Sequence, residues 1–303
     1  MRGLNRATKL LGGAGLAGCL LAGVLAPGTA LASPPICGTL HGPPGTLAGT
    51  YSSNVIIEGT CNVNAGPATV RGSITIRPGG QLLAAFALDH RSTTPRSTSR
   101  LLVNGNITAQ AGSTLILGCD PQSYPCEDDP ANKNPEEAPT LSSRSQVFGN
   151  INSREAFSVI VHNDRINGNV SQNGGGGGIT CFPEAAPPFS NYSAYEDTTV
   201  RGNVNVSNMA SCWLGINRLR VNGNVTVNNN QMADPDAIEI LANRINGNLG
   251  CRENSMTWNS VEEHMSSTFP RIPMPNTVIG NRSGQCKLAS PLTEGGETGP
   301  GPF

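Results

Sequence analysis

The sequence predicts an all-β fold: a parallel β-helix (solenoid) with loop insertions and disulfide staples. Three observations point there. A short frame recurs along most of the chain, its apolar positions alternate, and the cysteines are even in number once a leader is set aside. The frame reads apolar, any, Gly, Asn, apolar, and is cleanest at Val200-Arg-Gly-Asn-Val-Asn-Val206 and Val221-Asn-Gly-Asn-Val-Thr-Val227. It returns at Ile166–Val170, Ile245–Leu249 and Val103–Ile107, with looser copies at Val147–Ile151 and Val70–Ile76. Gly202, Gly223 and Gly247 recur at intervals of 21 and 24 residues, the length of one coil built from short strands.

The frame explains its own residues. Positions two apart share a face of a strand, so Val200, Val204 and Val206 face inward while Arg201, Asn203 and Asn205 face outward. Gly202 falls on the inward side, which predicts a bend or a close backbone approach that leaves no room for a side chain. The Asn beside it would recur at the same corner of successive coils and form a ladder of amides. The competing reading is a β-sandwich in which Gly-Asn makes hairpin turns, but a sandwich does not require the same frame each time.

Taken in order, Met1–Ala32 predicts a signal peptide: Arg2, Arg6 and Lys9, then an apolar run, then Ala30-Leu-Ala32 as cleavage site. Leu16-Ala-Gly-Cys19 also fits a lipobox, so a lipoprotein anchored through Cys19 is the alternative. One solenoid domain is expected over 33–288. Val55–Ile57 opens the strands, with Gly59 aligned on the frame glycine. Gln81–Leu88 is apolar without clean alternation, which suits a buried strand or a helical turn. Residues 120–145, rich in Pro and acidic side chains, predict a surface insertion, and 182–197 a second one. Between the frames lie further apolar runs, each followed by Asn and a basic residue: Asn217-Arg218, Asn243-Arg244, and His162-Asn-Asp-Arg165. Ser260–Ser266 suggests a short helix, and 289–303 a flexible tail.

Removing Cys19 leaves Cys37, Cys61, Cys119, Cys126, Cys181, Cys212, Cys251 and Cys286. An even count in an exported chain favours disulfides over metal ligation, and neighbour pairing is the simplest scheme for a stacked fold: 37 with 61, 119 with 126, 181 with 212, 251 with 286. No Cys-x-x-Cys occurs and the four His are scattered, so no metal or other cofactor is expected. The net charge of −1 gives no overall footprint for nucleic acid, and no membrane span is expected in the mature chain.

Val-x-Gly-Asn-Val-x-Val at 200–206 and 221–227, with the endings Asn246-Gly-Asn-Leu-Gly-Cys251 and Asn276-Thr-Val-Ile-Gly-Asn-Arg-Ser-Gly-Gln-Cys286, resembles a set of secreted bacterial proteins built from Gly-Asn-Val repeats. The resemblance covers most of 37–288 outside the insertions. It implies a right-handed parallel β-helix and transfers no active site. The frame is also similar to that of the bactofilins, but those polymerising proteins are cytoplasmic and lack disulfides.

Enzymes that cut acidic polysaccharides need clustered carboxylates. Candidates are Asp89-His90, Glu127–Asp129, His162 with Asp164, Glu196-Asp197, Asp234 with Asp236, and Glu262–His264. Asp164 and Asp234 stand out as candidate ligand-facing residues near coil corners. Tyr192 and Tyr195 are candidates to stack on sugar rings, against the plainer reading that aromatics pack a loop onto its domain. No Asn-Thr-Asp or Gly-His-Gly signature occurs, and no ice-binding Thr array or calcium nonapeptide repeat is formed. The expected role is a structural or adhesive protein of the cell surface or extracellular matrix, meeting glycans or its own copies. The alternative is a polysaccharide-binding or polysaccharide-degrading β-helix.

Overall fold

The structure is a computed structural model that describes residues 33–85, 99–118, 145–181, 191–233, 237–255, 263–264, 272–273 and 275–287. The chain divides into two units, Met1–Ser33 and Pro34–Phe303, and only the second is described here beyond Ser33. The predicted leader, Cys19, the insertion expected over 120–145 apart from Ser145, Cys119, Cys126, Asp234 and the tail lie outside the described residues.

The described residues of Pro34–Phe303 form a parallel β-helix. Most coils contribute one short strand to each of three sheets, and every pairing within those sheets is parallel. Among the described residues the first sheet has ten strands, the second eight and the third nine. In the first sheet Ile74, Ile107, Ile151, Val170, Val204, Val225 and Leu249 stack in register, and all are buried. A β-sandwich would need antiparallel neighbours, and the only antiparallel pair described is Glu263–His264 with Ile272–Pro273. Glu263 and His264, the described part of the helix expected over Ser260–Ser266, are extended in that pair, and the rest of that stretch lies outside the described residues. One apolar core runs inside the coils from Cys37 to Cys286. Each Val or Ile placed there contributes about 1.5–3 kcal/mol by leaving water.

The second sheet explains where alternation failed. Gln81–Ala84, Thr114–Leu117, Ser158–His162 and Tyr192–Glu196 pair in order, and the last three are buried at every position. Their inner faces join the main core, while Leu83, Ile116, Ile160, Tyr192 and Ala194 form a second apolar cluster on the outer face. A sheet buried on both faces has no polar side to alternate with. Tyr192–Glu196 is thus a core strand, and the insertion expected over 182–197 ends before Asn191.

The Gly-Asn frame sits at the corner leading into the first sheet. There each Asn Oδ1 accepts from the backbone N–H of the Asn one coil later: Asn150 to Asn106 at 2.7 Å, then Asn169 to Asn150, Asn203 to Asn169, Asn224 to Asn203, Asn248 to Asn224 and Asn281 to Asn248, each at 2.8 Å. Most of these rungs add an Nδ2–Oδ1 bond, as between Asn224 and Asn203 at 3.2 Å. Ser73 takes the place of Asn in the looser copy, accepting from Asn106 N–H at 3.0 Å and donating its own N–H to Asn54 Oδ1 at 2.8 Å. Ser53-Asn54-Val55 is therefore the frame of its coil, because Val55 pairs with Ile74, and Gly59 is not the frame glycine.

Close approach, rather than a left-handed backbone, is what requires glycine. A Cβ on Gly223 would lie 2.5 Å from Asn203 Oδ1 and 2.6 Å from the Gly202 carbonyl oxygen, and Gly149, Gly168, Gly202 and Gly247 face the same obstacle. Neither neighbour can withdraw without breaking the ladder or the Gly223 N–H to Gly202 O bond of 3.0 Å. Inside the coils shorter ladders satisfy buried amides: Asn230 on Asn254 on Gln285, and Asn243 on Asn276.

Three of the expected disulfides are present, Cys37–Cys61, Cys181–Cys212 and Cys251–Cys286, with sequence separations of 24, 31 and 35. Closing loops of this length contributes about 3–4 kcal/mol each in the chain-entropy picture. The first and last join consecutive turns at the two ends of the core.

Gly223→Ala is expected to lower stability by about 3 kcal/mol, while Asn222→Ala, on the exposed face beside it, changes it by less than about 0.5 kcal/mol. Urea unfolding of the two variants checks this. A non-reducing peptide map should recover the 37–61, 181–212 and 251–286 pairs, and free thiols at any of the six would contradict the fold.

Candidate functional site

Two of the carboxylate candidates named from sequence meet in space. His162 ends its strand opposite Glu196, which pairs onward with Asn217. All three point to the outer face of the second sheet, and all are buried. The next residue in each coil makes the corner towards the third sheet. Asn163, Asp197, Arg218 and Ala242 hold that corner with φ of 62°, 49°, 55° and 52°, a left-handed turn that swings the side chain away from the core.

The turn brings Arg218 onto both acidic residues. Its Nη2 donates to Glu196 Oε2 at 2.7 Å and to Asp197 Oδ2 at 2.9 Å, and its Nε lies 3.0 Å from each Asp197 oxygen. His162 Nε2 is 3.0 Å from Asp197 Oδ2 and 3.7 Å from Glu196 Oε2. The Glu196 side chain has no exposed surface, and those of Asp197 and Arg218 only 9% and 14%. The guanidinium therefore neutralises two carboxylates taken out of water, and the planar fork of arginine suits that task.

His162, Glu196 and Asp197 offer donor atoms within 4.8 Å of one another, a spacing that could hold a metal ion. The donor set does not fit one well, because Arg218 already binds oxygens of both carboxylates, and a cation would have to displace it. Acid–base catalysis on a glycan needs a carboxyl group that reaches substrate. Glu196 does not, and Asp197 is held on three sides. The arrangement is an ionic clasp between coils.

Beside the clasp an open groove of about 1030 Å³ runs along the third sheet, lined by Asp197, Thr199, Arg218, Arg220, Arg244 and Asn246 among others. Arg220 and Arg244 are exposed neighbours in register.

Of the residues singled out from sequence, Asp164 is 5% exposed and does not face a ligand. It lies in an inward column with Thr198, Leu219 and Asn243, and its carboxylate rests against Gly118, where a Cβ would come within 2.8 Å of Oδ2. Tyr192 and Tyr195 are buried as well, so neither is a stacking platform. Tyr192 packs in the outer cluster of the second sheet. Tyr195 points into the main core and donates its hydroxyl to Gln172 Oε1, and burial pushes that hydroxyl well above the ordinary tyrosine range. Arg218 was the residue missed. Its signal was the basic residue after each apolar run, but register splits that set: Arg165 and Arg244 lie in the third sheet, and Arg218 alone in the corner.

No protein-family model, curated protein or solved structure matches the chain.

Arg218→Ala strands Glu196 without its guanidinium and is expected to destabilise the fold by about 3 kcal/mol, since breaking one side of a buried ion pair leaves the other charge uncompensated. Arg218→Lys should recover part of the loss. Thermal and urea denaturation of both variants check the order.

Proposed function

We propose that this chain is an exported structural or adhesive solenoid of the cell surface or extracellular matrix, akin to the Gly-Asn-Val repeat proteins it resembles. The observation that carries the reading is the clasp. The best-placed group of acid–base residues is buried on the outer face of the second sheet and closed by Arg218, so its chemistry holds coils together. The three disulfides support an oxidising compartment, and no helix among the described residues is long and apolar enough to cross a membrane. Stacked coils tied by side-chain ladders make a stiff scaffold whose outward positions are free to present contacts.

The second reading, polysaccharide binding or cleavage on the same scaffold, is favoured by the open polar groove along the third sheet. One experiment separates the two. Cell fractionation with antibody detection should find the chain outside the cytoplasm and sedimenting with envelope or matrix, and purified protein should release no reducing ends from envelope polysaccharides. Release above that of heat-inactivated protein would replace the adhesive reading with an enzymatic one.

A further inference from the structure

We propose that the third sheet carries a binding face for a linear acidic polysaccharide, laid along the solenoid axis over Arg165, Arg201, Arg220 and Arg244. The proposal rests on the adhesive reading and gives it a partner of defined chemistry. The face spans four consecutive coils. Arg165, Thr199, Arg220 and Arg244 stack in one outward column by strand register. Asn167, Arg201, Asn222 and Asn246 stack in the next, where the backbone ladder continues through Arg201 N–H to Ile166 O and Asn222 N–H to Val200 O. Those eight positions hold four Arg, three Asn and one Thr, and no carboxylate.

Charge is what makes the face unusual. The whole chain carries a formal net charge of −1, so a basic stripe is local and not a consequence of composition. Like charges on adjacent strands destabilise a sheet, and Arg220 stands directly beside Arg244. Arg218 shows how this fold neutralises an arginine when it needs to, with two carboxylates at bonding distance. The four arginines of the face are given no such partner among the described residues. A bound polyanion would supply the missing counter-charge.

The geometry selects a linear polymer. Coils repeat about every 4.8 Å, the strand spacing of any sheet, so an anionic chain running along the axis meets a new rung at an interval comparable to one sugar ring. The guanidinium fork pairs with carboxylate or sulfate oxygens in a bidentate manner, and the intervening Asn amides can both donate to and accept from ring hydroxyls. Phe148, 45% exposed, stands one coil before Asn167 in the same column and offers an apolar surface to a ring at the end of the face. The three disulfides favour a glycan over nucleic acid, since they belong to an oxidising compartment.

The test is affinity electrophoresis of the purified, disulfide-bonded chain in gels containing polygalacturonate, uncharged amylose or single-stranded DNA. Polygalacturonate should retard the wild type, amylose should not, and retardation should weaken as salt rises. Arg220→Ser with Arg244→Ser should weaken binding by roughly tenfold or more, given the strength of charge-assisted bonds. Arg154→Ser with Arg252→Ser removes the same charge from exposed strand ends in the first sheet and should leave binding unchanged. Circular dichroism verifies that both double variants are folded. Equal losses in the two variants would reduce the effect to general Coulomb attraction and overturn the proposal. DNA binding as tight as polygalacturonate binding, or no retardation by polygalacturonate, would also overturn it. Sedimentation with the envelope distinguishes the levels: a wild type that sediments but ignores polygalacturonate sinks the arginine face and leaves adhesion standing, whereas one that does neither sinks both.

Discussion

The fold depends on one contact: the Asn side-chain oxygen that accepts the backbone N–H of the next coil, packed against a glycine with no Cβ. At a corner the strand ladder stops, and the amide N–H at the start of the next strand would be left to water. Asn106, Asn150, Asn169, Asn203, Asn224 and Asn248 each fill that gap for the coil that follows. The oxygen can come so near only because the adjoining residue is glycine. The pair is therefore a single device. Glycine loses more chain entropy on folding than any other residue, and the hydrogen bonds of the rung offset that loss.

This constraint shapes what the rest of the coil can do. With the corner pinned, successive coils enter the first sheet in the same register, so from Ile74 to Leu249 each Val, Ile or Leu lands on the one before. Register then carries over to the third sheet, where Arg165, Thr199, Arg220 and Arg244 fall in line although nothing in their own chemistry aligns them. The corner between the second and third sheets is set differently. It uses a left-handed residue, and in Asp197 and Arg218 that geometry turns charged side chains towards one another. An ionic clasp here is less regular than an amide ladder, because it needs two partners of opposite sign in consecutive coils.

Much of the scaffold was legible in the sequence. A fixed frame with alternating Val and Asn dictates face and period, and the glycine on the inward side signals close approach. The Cys37–Cys61, Cys181–Cys212 and Cys251–Cys286 pairs followed from stacking, since neighbours in sequence become neighbours in space. The second sheet was harder to read because burial on both faces erases alternation. Tyr192 and Tyr195 went astray for that reason: next to a Pro-rich segment they read as loop aromatics, yet one packs outward and one inward in a core strand. The clasp was half legible. His162, Glu196 and Asp197 were marked as candidate charges, but their meeting depends on two coils coming into register, and Arg218 belongs to a third.

The division of labour that results bears on where recognition can arise. Inward positions are fixed by packing and the Gly-Asn corner by the ladder, while the outer face of the second sheet is already buried. The clasp consumes the charges beside it. What remains to vary without disturbing the stack is the outward columns of the first and third sheets, and among the described residues it is the third that lines up unpartnered cations along the axis. A solenoid converts a residue repeated in sequence into a row in space at strand spacing. A repeating ligand is the natural counterpart of such a row, since each added rung meets one more unit of the polymer while the scaffold, already rigid, loses little further freedom on binding.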